Sequence, residues 1–138
     1  MDNQIDLTKY IRYGEWEIHN DTLYDIKSLI MDNSNVDEVC KQIPMDVNTL
    51  VGVDGSASMI ATCRTVALNK TKTLAYIKGD VLKGNVVGDY CLIDDVVTTE
   101  TSIRKNIEII GKPPKYIFCI VDKRIFPGLK IKSMFKIC

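Results

Sequence analysis

His19 is the only histidine in 138 residues, and the five cysteines (40, 63, 91, 119 and 138) contain no Cys-x-x-Cys pair and no metal-like spacing with it. The spacing thus gives no signal of a metal centre built on Cys and His. Cys91 and Cys119 sit inside apolar runs, where cysteine behaves as a small hydrophobe, so the cysteines read as reduced and structural. Cys138 is the one expected to be exposed and open to oxidation. Charge of one sign is lacking too: 18 Lys and Arg balance 18 Asp and Glu, which removes the electrostatic argument for nucleic acid or a membrane surface. No apolar run approaches a membrane span, and the opening MDNQIDLTKY is too polar for a signal peptide, so a cytoplasmic location is expected. Linkers, internal repeats and low-complexity segments are missing. With 46% hydrophobic and 26% charged residues, residues 1–138 read as one globular domain with a real core.

The chemistry concentrates in Tyr90–Arg104, YCLIDDVVTTETSIR. Cys91, Leu92 and Ile93 read as a strand buried on both faces, and the acids Asp94 and Asp95 follow at once. Next come Thr98, Thr99, Glu100, Thr101 and Ser102, then a helical pattern with Ile103, Ile107 and Ile110 on one face. In an open parallel sheet, ligands bind beyond the carboxyl ends of the strands, and a helix N-terminus offers N–H groups to an anion. The hydroxyls suit a phosphate, and the acids suit sugar hydroxyls or a hydrated divalent cation. As a bland alternative, the acids end a solvated strand and Ser102 is an N-cap.

The remaining chain repeats the strand–loop–helix order. Residues 49–57 run from a β-rich stretch into Asp54, Gly55, Ser56 and Ala57, then a helical segment with Ile60, Cys63 and Ala67 on one side. Thr73–Ile77 and Tyr116–Val121 are further strands, and Leu129–Ile137 alternates lysine with apolar residues as an edge strand would. Asn35 with Glu38 reads as a capping-box helix start, and Pro44 as its stop. Four apolar strands alternating with amphipathic helices predict a three-layer α/β domain with a mostly parallel sheet.

The 90–104 segment resembles the phosphoribosyl pyrophosphate (PRPP) signature of the type I phosphoribosyltransferases, and the chain is most similar to the orotate branch, over roughly residues 20–125. The resemblance implies a core over about 45–125 and a small N-terminal hood over about 1–30. It assigns Asp94 and Asp95 to the ribose hydroxyls, and to Mg²⁺ indirectly through water or PRPP. The 5′-phosphate falls to Thr98, Thr99, Glu100, Thr101 and Ser102, and the pyrophosphate to Asp54, Gly55, Ser56, Ala57 and Lys78. Lys83 is left as catalytic lid cation, and Asp25, Lys27 and Arg124 as base contacts. Leu23, Ile26 and Ile30 read equally well as the buried side of a helix. The implied reaction is orotate plus PRPP giving orotidine 5′-monophosphate and pyrophosphate, in a homodimer.

The chain departs from the family in three places. Glu100 stands where the phosphate loop carries glycine, which weakens anion binding unless its side chain turns outward. Ser56 and Ala57 replace a glycine pair. The lid is reduced to GDVLKGNVVG, residues 79–88, with Lys83 as its one basic residue. These departures keep two alternatives open: a non-catalytic relative that binds PRPP or a nucleotide as regulator, and a transferase for a purine base.

Overall fold

The computed structural model describes residues 5–12, 23–24, 26–53 and 55–137. Its centre is a six-stranded sheet of β3 (Thr49–Val53), β4 (Thr73–Lys78), β5 (Val81–Lys83), β6 (Tyr90–Val97), β7 (Tyr116–Asp122) and β8 (Lys132–Lys136), in the order β5-β4-β3-β6-β7-β8. β4, β3, β6, β7 and β8 run parallel, and β5 is antiparallel to β4. All five residues of β3 and the first four of β6 are buried, as strands covered on both faces require.

Helices α1 (Ile26–Ile30), α2 (Asn33–Gln42) and α3 (Ser56–Leu68) cover one face, where Leu29, Ile30, Val39 and Ala61 meet Leu50, Ile93, Phe118 and Ile120. Helix α4 (Thr101–Ile110) covers the other, with Ile103 packed among Val51, Leu92, Ile117 and Cys119. Three layers result, as the alternation of strands and helices predicts. Ile5 and Leu7 join the first core, while β1 (Ile11–Arg12) and β2 (Leu23–Tyr24) form a separate antiparallel pair. Of the expected hood, residues 1–4, 13–22 and 25 lie outside the described residues. Of the three residues expected on the buried side of one helix, Leu23 belongs to a strand instead, while Ile26 and Ile30 are buried on α1.

Two local expectations are corrected. Helix α2 starts two residues before Asn35: Asp32 is its cap, accepting from the Ser34 N–H at 2.9 Å. The Asn35 amide instead donates to the Leu29 carbonyl at 2.9 Å and ties α2 to α1. The acid-bearing strand does not stop at Asp94 but continues to Val97, because β7 pairs with it along that length.

Candidate functional site

Consecutive side chains of an extended strand leave opposite faces of the sheet, so β6 splits its acid pair. Asp94 lines a cleft of about 410 Å³ at the carboxyl ends of the parallel strands. The walls are Val53 of β3, Ile77, Gly79 and Asp80 at the end of β4, the loop residues Thr98 and Thr99, and Ser102, Lys105 and Asn106 of α4. Asp95 faces α3 instead. Its Oδ1 accepts from the Ser58 N–H, and its carboxylate packs so closely on Gly55 that a Cβ there would lie 2.6 Å from Oδ2. This close approach explains the glycine.

Burial pushes the Asp94 carboxyl up to about 6, opposed by the hydrogen bond it accepts from the Asp95 N–H at 2.7 Å and reinforced by the Asp95 charge. Asp95 is raised as well, chiefly by burial, while the backbone N–H groups of Ser58 and Ala57 and the positive field of Lys27 pull it back.

Helix α4 begins with its first N–H groups uncapped by a side chain, because Glu100 in the N-cap position makes no capping bond. The Glu100 carboxylate turns outward. Oε2 accepts from Arg124 Nη1 at 2.7 Å and from the N–H groups of Gly128 and Leu129, and Oε1 from Arg104 Nη2 at 2.7 Å. These donors, led by the Gly128 N–H, hold its carboxyl down to about 2. The charge expected to oppose an anion is thus paired with two guanidinium groups. Gly128 is fixed by the same contact, since a Cβ on it would come within 2.9 Å of Oε1.

Thr98, Thr99 and Ser102 face the cleft, whereas Thr101 lies outside its wall and accepts from the Thr99 hydroxyl at 3.4 Å. Asp25 and Asp54 lie outside the described residues, as does the side chain of Ser56. Ala57 is fully buried in the core beneath α3. Lys27 is exposed on α1, on the Asp95 side of the sheet.

The lid and the Arg124 expectations are corrected. Residues 79–88 begin as a tight hairpin in which Lys78 pairs with Val81 and Tyr76 with Lys83. Gly79 and Asp80 turn the chain with φ of 56° and 62°, as a two-residue primed turn requires. The return is pinned where the Thr49 hydroxyl donates to the Val87 carbonyl at 2.8 Å and accepts from the Val87 N–H at 2.9 Å. Lys78 and Lys83 are exposed on this hairpin and off the cleft wall, which among the described residues carries one lysine, Lys105. Arg124 is buried, with Nε and Nη2 on Asp122 and Nη1 on Glu100 and the Leu129 carbonyl. Its guanidinium braces the connection from β7 to β8 and is not offered to a base.

Sequence reasoning missed Asp80, Lys105 and Asn106. The last was within reach, since Ser102 and Asn106 stand one helical turn apart and so share a face. Nothing in the sequence signals the meeting of Asp95 with Ser58, which lie 37 residues apart.

No protein-family model matches the chain. Orotate phosphoribosyltransferase of Bordetella parapertussis is 32% identical over 87 residues, a match covering 60% of this chain and 39% of that protein. The chain thus matches about two fifths of the length of the curated relatives. Among solved structures, orotate phosphoribosyltransferase from Aeropyrum pernix superposes with a TM-score of 0.75 at 18% identity, covering 94% of this chain and 91% of that one. Adenine phosphoribosyltransferase from Rhodothermus marinus gives 0.67 at 11% identity, covering 94% and 96%. These likenesses show the shared fold, which orotate and adenine enzymes have in common. The chain is thus similar in sequence to part of the orotate phosphoribosyltransferases and shares the fold of the orotate and adenine enzymes.

Proposed function

We propose that the cleft binds the ribosyl 5-phosphate part of PRPP and that the chain takes part in phosphoribosyl transfer to a base, with orotate as first candidate. One observation carries this reading: a single cleft combines the Asp94 carboxylate with the Thr98, Thr99 and Ser102 hydroxyls and the uncapped start of α4. A carboxylate accepts from vicinal sugar hydroxyls, and free N–H groups at a helix start receive a phosphate. The relatives' names support the choice of orotate.

Mg²⁺ fits as a cation carried in by the ligand. Among the described residues no group of three or more His, Cys, Asp and Glu side chains could hold a metal unaided. Asp94 and Asp80 on the cleft wall would reach such an ion through water or through PRPP oxygens. Bound there, the cation would neutralise charge on the departing pyrophosphate. A homodimer and a cytoplasmic setting belong to the same reading.

A second reading, a non-catalytic PRPP or nucleotide binder, is favoured by the hairpin at residues 79–88 and by the Asp95 carboxylate on the first turn of α3. The deciding experiment follows orotate absorbance with PRPP and Mg²⁺, using the Asp94→Asn, Asp95→Asn double variant as blank. Turnover absent from the variant supports the transferase. PRPP binding by calorimetry without turnover supports the binder, and neither turnover nor binding sinks both.

A further inference from the structure

Asn106 is a buried polar residue whose carboxamide meets no partner among the described residues, neither a hydrogen bond nor an ion pair. The residue is 6% exposed and lines the cleft. A buried amide left unpaired costs stability, so a position that keeps one is waiting for a partner. Ser102, one turn earlier on the same face of α4, also lines the cleft, and the uncapped N–H groups of that helix lie at the same end. Lys105, the next cleft residue of α4, pairs with Asp80 at 2.8 Å. Both of those side chains are about three-fifths exposed, so the pair is held weakly and a phosphate can displace the carboxylate.

We propose that Asn106 and Lys105 are phosphate-binding residues of this cleft, Asn106 donating its amide N–H to a phosphate-ester ligand and Lys105 exchanging Asp80 for the phosphate. The ligand class is an organic monophosphate such as a ribose 5-phosphate group. Asp80 is then an internal competitor, and ligand binding releases the turn of the β4–β5 hairpin from α4. The inference rests on the ribosyl-phosphate reading above and extends it to residues that none of the sequence motifs contain.

The test is calorimetric titration of the whole chain with ribose 5-phosphate and with inorganic phosphate, together with thermal melting. Asn106→Leu is expected to weaken ribose 5-phosphate by roughly tenfold, the worth of one hydrogen bond to a charged group, while raising the melting temperature because the unpaired amide is gone. Asn106→Asp, of the same shape, covers the case in which leucine does not fit, and should weaken binding further through charge. Lys105→Gln should weaken binding and flatten its salt dependence, and Asp80→Asn should tighten it. A wild-type chain that binds while Asn106→Leu and Asn106→Asp bind equally well overturns the inference and leaves the cleft reading standing. A wild-type chain that binds neither probe overturns both.

Discussion

Asp95 accepts a hydrogen bond from the backbone N–H of Ser58, so the second carboxylate of the acid pair caps helix α3 from a neighbouring strand. The helix has no cap of its own, since Gly55 in the N-cap position offers no side chain. The arrangement also occupies N–H donors that an anion at this helix start would use.

Removal of this carboxylate therefore has two expected effects. Asp95→Ala should cost about 1 kcal/mol of stability in urea denaturation, the usual loss for a helix cap. It should also strengthen binding of inorganic pyrophosphate, because the Ala57 and Ser58 N–H groups become free. Pyrophosphate affinity that stays at the wild-type level would mean that this helix start receives no anion.

Glu100→Gly restores the residue that the related phosphate loops carry, yet it should not tighten ribose 5-phosphate binding. The carboxylate points at Arg124, Gly128 and Leu129, outside the cleft. Its loss strands those donors and should destabilise the chain by about 2 kcal/mol. Tighter binding with unchanged stability would show that the side chain faces the phosphate after all.

Asp94 gives a stability effect that depends on pH. Its carboxyl is raised from 3.8 to about 6, so the folded chain holds a proton there that the unfolded chain has released. The stabilising contribution is complete below the unfolded value and is lost as pH rises from about 4 to about 6. Asp94→Asn should thus be more stable than wild type at pH 8, by about 3 kcal/mol, with the gain shrinking to nothing near pH 4. Parallel denaturation curves at the two pH values, with a constant gap between the proteins, would rule this out.

Gly79 adopts φ of 56° with nothing within 4 Å of where a Cβ would be, so substitution there tests backbone conformation alone. Gly79→Ala should cost about 1 kcal/mol if the hairpin persists in solution. No cost would mean that residues 79–88 do not hold this turn.

The amino-acid sequence by itself determined the main strands and helices of the core and their order. Apolar runs at 49–53, 90–93 and 116–121 read as strands, and Ile103, Ile107 and Ile110 as one side of a helix, and the structure has them so, because these patterns are local properties of the chain. The strand–acid–hydroxyl–helix order at 90–104 located the cleft for the same reason. Which way each polar side chain points was decided only by tertiary structure. Asp94 and Asp95 read as a pair, but the pleat sends one to the cleft and the other to α3. Glu100 read as a charge beside the phosphate, but donors from 24 and 28 residues downstream turn it away. Lys83 read as a lid cation, but pairing with β4 folds it into a hairpin. A partner distant in sequence leaves no local pattern, so these orientations become visible only when packing brings the partners together.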